Sequence, residues 1–82
     1  IDKKSNSSLL IYPSPVNNTL SVLSPEIIQS TEFQITNAVG HIFKEGHIAK
    51  DQMIDVQFLE SGIYLISLRT DRGIITKQFI KI

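Results

Sequence analysis

The side chains of this sequence that could take part in chemistry are few and scattered. Two histidines, His41 and His47, flank a predicted turn, and no nearby Asp, Glu or Cys stands at a spacing typical of a metal site. The sequence contains no cysteine, which excludes disulfides, thiolate–metal sites and cysteine nucleophiles. We therefore expect two surface histidines, no metal site and no cofactor.

The carboxylates in the second half of the chain form no recognisable catalytic or calcium-binding pattern. They are Asp51, Asp55, Glu60 and Asp71. Calcium loops need densely alternating Asp and Asn with a glycine, and hydrolysis by paired carboxylates needs a cleft that so small a domain hardly provides. The serines near the start of the chain lack a Gly-x-Ser-x-Gly context. The residues alone therefore predict a module that is not an enzyme.

Composition limits the partners and the class of fold. The formal net charge is zero, so no basic field is available to hold a phosphate backbone, and nucleic-acid binding is not expected. No apolar run approaches the roughly 20 residues that a transmembrane helix requires. Isoleucine is frequent and alanine is scarce, and β-branched residues favour strands over helices. The 82 residues thus predict a single, mainly β domain without a transmembrane segment.

Short apolar segments alternate with turn residues along the whole chain, at a spacing typical of an antiparallel β-sandwich of about seven strands. The predicted strands cover residues 9–12, 19–23, 31–36, 41–45, 53–58, 63–70 and 74–82. Side-chain alternation places Phe33 and Ile35 inward on the third strand. It likewise places Ile54, Val56 and Phe58 inward on the fifth.

Prolines and glycines mark the expected interruptions. Pro13 and Pro15 end the first strand at a rigid corner or a sheet edge. Residues 37–40 predict a hairpin turn in which Gly40 takes a positive φ angle. Gly46 is expected to end the strand that returns from this hairpin, and residues 59–62, ending in Gly62, predict another turn.

The two ends of the chain differ in character. Residues 1–8 are polar, so we expect the end of a linker there and the folded domain over residues 9–82. The last segment, residues 74–82, is apolar and strand-like, so we expect it to be built into a sheet. Neither face of this strand is cleanly apolar, which a β-bulge, or an edge position with its lysines turned to water, would resolve. Elsewhere, residues 25–29 could form one helical turn, and residues 71–73 predict a tight turn.

The order of five short motifs resembles a known family. The motifs are Tyr12-Pro13-Ser14-Pro15, the strand Leu20-Ser21-Val22 after an Asn-rich turn, Asn37-Ala38-Val39-Gly40, Leu59-Glu60-Ser61-Gly62-Ile63-Tyr64-Leu65-Ile66 and Thr76-Lys77-Gln78-Phe79-Ile80-Lys81. Together they closely resemble the C-terminal sorting domain of cargo proteins of the type IX (Por) secretion system of Bacteroidetes, from Leu10 to Ile82. The chain departs from the family at Ser14, where Asn is common, and at Gln78, where a basic residue is common.

The resemblance implies an Ig-like β-sandwich that is a secretion signal and not a catalyst. It implies an upstream cargo that passes through the periplasm, where the type IX machinery, with its outer-membrane shuttle and translocon, recognises the domain. The cargo then reaches the cell surface or the medium, and a sortase-like peptidase usually removes the domain. The motif positions that the resemblance marks for recognition are Pro13, Pro15, Gly40, Gly62, Tyr64, Lys77, Phe79 and Lys81.

Three further hypotheses follow from the residues. The alternative to a secretion signal is an Ig-like or fibronectin-like accessory module that binds carbohydrate or acts as a spacer. The absence of Trp counts against carbohydrate binding. Tyr64 is expected to be a core aromatic whose hydroxyl has a hydrogen-bond partner. We also expect residues 74–82 to be the element presented to a receptor, as an edge strand with Lys77 and Lys81 supplying charge at its rim.

Overall fold

Two antiparallel sheets form the computed structural model, which describes residues 10–23, 30–49, 53–70 and 73–82. The strands within these residues are β1 (Leu10–Tyr12), β2 (Thr19–Leu23), β3 (Ser30–Thr36), β4 (Ile42–Ala49), β5 (Met53–Asp55), β6 (Gly62–Thr70) and β7 (Gly73–Lys81). The small sheet has the order β1-β2-β5, and the large sheet has the order β4-β3-β6-β7. In this part of the chain no helix is both long and apolar enough to cross a bilayer.

The strand order is that of an Ig-type sandwich. The first, second and fifth strands share one sheet, whereas the third, sixth and seventh strands share the other, with β4 added beside β3. Each neighbouring pair of strands is antiparallel. The predicted Ig-like antiparallel sandwich of seven short strands is therefore confirmed.

The core lies between the two sheets and is built from alternate residues of their strands. Phe33 and Ile35 of β3 point inward, as the alternation predicted, and β2 opposes them from the small sheet with Leu20 and Val22. The buried apolar side chains are Val16, Leu20, Val22, Phe33, Ile35, Ile48, Ile54, Val56, Leu59, Tyr64, Ile66, Leu68 and Phe79. Full burial of one such side chain stabilises the fold by roughly 1.5–3 kcal/mol, so this cluster is the main source of stability.

The hairpin between β3 and β4 has the predicted turn. The Asn37 side-chain oxygen accepts hydrogen bonds from the backbone N–H of Val39 at 3.1 Å and of His41 at 2.9 Å. The Gly40 N–H donates to the Asn37 carbonyl at 3.1 Å. Gly40 has a φ of 90°, a conformation that L-residues with a Cβ rarely adopt. The prediction of a positive φ at Gly40 is confirmed.

Two glycines lie within strands, contrary to the predictions that Gly46 ends a strand and that Gly62 ends a turn. Gly46 does not end β4, because it pairs with Phe33 and the ladder to β3 carries the strand on to Ala49 despite the low β-propensity of glycine. Gly62 is not a turn residue either. It begins β6 opposite Lys81, although its φ of 158° is positive, a conformation that residues with a side chain rarely adopt.

The prediction that Phe58 points inward is wrong. Strand β5 ends at Asp55, and the Leu59 N–H donates to the Val56 carbonyl at 3.1 Å to close a turn. This turn shifts the alternation, so Leu59 is buried while Phe58 is 55% exposed. The ammonium of Lys44 lies 5.4 Å from the centroid of the Phe58 ring and covers part of it.

Several predictions lie outside the described residues. They are the linker over residues 1–8, the helical turn over residues 25–29, and the first two residues of the turn at 71–73. Of that last turn, the structure describes Gly73, which opens β7.

Tyr64, near the start of β6, ties the connection between β5 and β6 to the core. Its hydroxyl donates a hydrogen bond of 2.7 Å to the Glu60 carbonyl. Its ring stacks on Phe79 at 5.8 Å between centroids and meets Phe43 edge-on at 5.3 Å. A tyrosine at this place, bonded to the backbone a few residues upstream, is the tyrosine corner of Ig-type sandwiches. The expectation of a core aromatic with a satisfied hydroxyl is confirmed.

Removing the Tyr64 hydroxyl tests this corner. We expect Tyr64→Phe to lower the free energy of unfolding by about 1 kcal/mol, because the Glu60 carbonyl loses its donor. Tyr64→Ala should cost about 3–5 kcal/mol, since it also leaves a cavity between two aromatic rings. Urea denaturation measures both, with Tyr12→Phe, at an exposed position, as the matched control. A Tyr64→Phe variant as stable as the native chain would contradict the claim that the bond from the Tyr64 hydroxyl to Glu60 stabilises the fold.

The turn at Gly40 provides a second test. We expect Gly40→Ala to lower stability by about 1–2 kcal/mol, because a Cβ at this φ strains the backbone. Among the described residues, apart from Gly40 and its two chain neighbours, no heavy atom lies within 4 Å of the added Cβ, so a clash would not explain the loss. Thermal unfolding measures the change, and Val39→Ala, one residue earlier and 86% exposed, should leave the melting temperature unaltered. Equal melting temperatures for Gly40→Ala and Val39→Ala would refute the prediction that a Cβ at position 40 strains the backbone.

Candidate functional site

The resemblance marked residues that lie far apart in the sequence, and the fold brings four of them together at one end of the large sheet. Tyr64 pairs with Phe79 across the ladder between β6 and β7, and Gly62 pairs with Lys81. Phe79 is 1% exposed and stacks on the Tyr64 ring. These four positions therefore form one structural corner.

Gly40 lies in the β3–β4 hairpin and is connected to this corner through aromatic side chains. The ring of His41 lies 4.7 Å from that of Phe43, and Phe43 meets Tyr64 edge-on. The hairpin thus supports the corner from the side of β4.

The segment that follows β1 runs along the outer edge of β7. The Val16 N–H donates to the Ile80 carbonyl at 2.7 Å, and the Ile82 N–H donates to the Val16 carbonyl at 2.9 Å. The Ser14 hydroxyl oxygen accepts a bond of 3.3 Å from the Ile80 N–H. Val16 itself is fully buried. We call residues 14–16 the hook, because they join the small-sheet side of the sandwich to the last strand of the large sheet.

Pro13 and Pro15 flank Ser14 and are both exposed. The peptide bonds that precede them are cis. Neither proline has an N–H to offer a neighbouring strand, which suits an edge position. The predicted rigid corner or edge is confirmed at this place.

Strand β7 is an edge strand with one continuous register. It pairs with β6 from Gly62↔Lys81 to Thr70↔Gly73 without a register shift, so the ambiguity noted in the sequence is resolved by the edge position and not by a bulge. Phe79 and Lys81 point into the sandwich, whereas Lys77, on the same face, is exposed.

Lys81 does not supply charge at the rim of β7, contrary to the prediction. Its side chain is 6% exposed, and its Nζ donates to the main-chain oxygen of Ile82 at 2.8 Å. The apolar stem of a lysine can fill core space while its ammonium finds an oxygen at the boundary, which a reading of charge alone cannot detect. Lys77 is therefore the lysine that remains available at this edge.

The outer face of the large sheet has a polar concavity of about 470 Å³. Its polar lining residues include Glu32, Gln34, Glu45, His47, Ser67 and Arg69. The Arg69 Nε lies 3.1 Å from one Glu32 oxygen, and the His47 Nε2 lies 3.9 Å from the other. These side chains are more than half exposed, and such pairs contribute little, typically about 0–1 kcal/mol. His41 and His47 are surface histidines, as expected, and the described residues contain no group of three or more potential metal ligands.

Comparison with known families identifies this Ig-type sandwich. Residues 10–82, nearly the whole chain, match the family described as the secretion system C-terminal sorting domain. A comparison with curated proteins gives no significant match. The chain therefore belongs to the family of secretion system C-terminal sorting domains, and it is a type IX secretion sorting signal. Such a signal interacts with the type IX machinery and directs export to the cell surface or beyond.

The residues that close the edge of β7, Ser14 and Val16, were not among the expected recognition residues. Proline spacing was the available signal, since Pro13 and Pro15 indicated an edge but not which strand it met.

The burial of Lys81 leads to a test of whether its stem or its charge matters. Lys81→Ala should lower the free energy of unfolding by about 2 kcal/mol, because methylenes contribute roughly 0.8 kcal/mol each when buried. Lys81→Met keeps an unbranched stem and should stay within about 1 kcal/mol of the native chain. Chemical denaturation measures both, with the exposed Lys77→Ala as a control expected to change nothing. An unchanged free energy of unfolding for Lys81→Ala would contradict the burial of the Lys81 side chain.

Proposed function

We propose that this domain is a folded secretion signal that a receptor recognises through its surface, and that it carries out no catalysis of its own. The match of residues 10–82 to the sorting-domain family is the observation that carries the proposal. The sandwich supports it, because a rigid two-sheet fold presents side chains and a strand edge in a fixed arrangement that a receptor can bind.

The proposed route has three steps. A parent protein, joined through a linker that ends within residues 1–8, enters the periplasm with the domain folded over residues 9–82. An outer-membrane shuttle binds the folded domain and delivers it to the translocon. A sortase-like peptidase then removes the domain at the cell surface, where the cargo is released or anchored.

The motif residues divide into two groups in this proposal. Tyr64 and Phe79 are buried and act through the fold, since they hold β6 and β7 together at the corner. Lys81 is also buried and belongs with them. Gly62, at the start of β6, and Gly40, in the supporting hairpin, are less buried but also act through the fold, by their backbone conformation. The exposed group is read directly and consists of Pro13 and Pro15 beside the hook and Lys77 on β7.

An export assay tests the sorting function. Residues 1–82 are fused behind a signal peptide and a fluorescent reporter in a Bacteroidetes strain with a working type IX system, and in a secretion-defective strain. We expect reporter at the cell surface or in the medium only in the working strain. The matched control is the same reporter without residues 1–82, which should stay in the periplasm of both strains.

One result would reject the sorting function for this chain. It is reporter retained in the periplasm of both strains while the domain is folded, as judged by resistance to protease in periplasmic extracts. That result would favour an accessory module that binds a ligand or separates domains.

A further inference from the structure

The two sides of β7 have different hydrogen-bonding partners. In an antiparallel ladder, successive residues direct their N–H and C=O groups alternately towards one neighbouring strand and away from it. Ile80 directs both of its groups away from β6, since its N–H reaches Ser14 and its C=O reaches Val16. Because β7 pairs with β6 without a register shift, Gln78, Thr76 and Ile74 also direct their backbone groups to this outer edge.

The hook closes only one half of that edge. Ser14 and Val16 occupy the backbone groups of Ile80 and the N–H of Ile82. Within the described part of the chain, no backbone or side-chain hydrogen bond reaches the N–H or C=O of Thr76 or Gln78. Residues 74–78, which we call the open edge, therefore keep two consecutive outward positions with a donor and an acceptor each.

The side chains of the open edge have a definite chemistry. On the inner face Lys77 is exposed, beyond the part of β7 that Phe79 and Lys81 bury. On the outer face Ile74 is 63% exposed, and the hydroxyl of Thr76 is bonded to that of Ser67 at 3.0 Å. The open edge thus has one positive charge on one face and an apolar residue on the other.

We infer that the open edge is a docking site for an extended strand of a type IX component, which pairs with the backbone of Thr76 and Gln78 and places an acidic residue beside Lys77. This inference rests on the proposed function and names its surface. Strand addition supplies backbone hydrogen bonds for affinity, and alternate side chains supply specificity. The complementary charge beside Lys77 distinguishes the correct partner strand from others.

A second copy of this chain fits the open edge poorly. If two β7 strands paired antiparallel through both open residues, Thr76 of one would face Gln78 of the other. The two Lys77 side chains would then stand directly opposite each other on one face, and like charges at that position destabilise a strand pair. A lysine at an edge opposes self-association in this way while leaving the edge open to an acidic strand.

Proline substitution tests the edge without altering the ladder to β6. Gln78→Pro removes an outward N–H that no bond within the described domain uses, so the domain should fold. Glu45→Pro is the matched control, because the same alternation across β6 and β3 directs the Glu45 backbone groups to the free edge of β4. Gln78→Ala controls for the side chain.

The variants are compared in the export assay described above, after melting curves show which of them fold. We expect Gln78→Pro to lower delivery to the surface about tenfold or more, with Gln78→Ala and Glu45→Pro close to the native chain. Normal delivery of a folded Gln78→Pro variant would overturn the inference while leaving the sorting function intact. Failure of the native chain itself would reject the sorting function instead.

Charge reversal gives an independent result if Gln78→Pro does not fold. Lys77 is exposed, so Lys77→Glu and Lys77→Arg should both keep the native melting temperature. We expect Lys77→Glu to lower delivery about fivefold or more and Lys77→Arg to retain it. Equal delivery of Lys77→Glu and Lys77→Arg would overturn the inference that the partner strand places an acidic residue beside Lys77. Sedimentation should find a monomer, whereas a dimer that Gln78→Pro dissociates would make the open edge an interface between copies.

Discussion

The rest of this domain depends on the contacts of Tyr64. Its ring packs against the rings of Phe43 and Phe79, and its hydroxyl bonds the Glu60 carbonyl. The connection from β5 to β6 must cross from the small sheet to the large one, and the bond from the Tyr64 hydroxyl to Glu60 fixes where it does so. The same ring stacks on Phe79, and this contact helps to hold the final part of β7 in register. The register of β7 in turn decides which of its residues face the hook.

The hook is the second feature that shapes the edge of β7. Without it, β7 would present an uninterrupted edge, and long open edges invite unselective pairing with other chains. Ser14 and Val16 shorten the edge and fix its boundary beside Ile80. Within the described residues, the fold itself therefore limits how much of the β7 edge stays open beside Lys77.

Local patterns in the sequence predicted the local parts of this structure. Alternation identified the inward positions of Phe33 and Ile35, and residues 37–40 indicated the hairpin, because both features depend on neighbours in sequence. Alternation failed at Phe58, where a turn shifted the period. The prediction that Gly46 ends β4 failed because the ladder to β3 outweighed the low β-propensity of glycine.

Long-range contacts could not be predicted from the sequence. The bond between Ser14 and Ile80 joins residues 66 positions apart, and no local pattern specifies it. The burial of Lys81 was missed for a related reason, since its surroundings come from another strand and from Ile82. The secretory role came from the order of the motifs, because the physical reading of the residues ended at a small module that is not an enzyme.

The parallel pairing of Val16 with β7 also has a mechanical consequence. If tension acts between the chain before the hook and the last residues of β7, the two segments are pulled past each other along their length. The two hydrogen bonds between Val16 and β7 lie across that direction, so they bear the load together instead of opening in sequence. The hook and the end of β7 therefore resist separation under such tension better than two segments whose hydrogen bonds open one after the other.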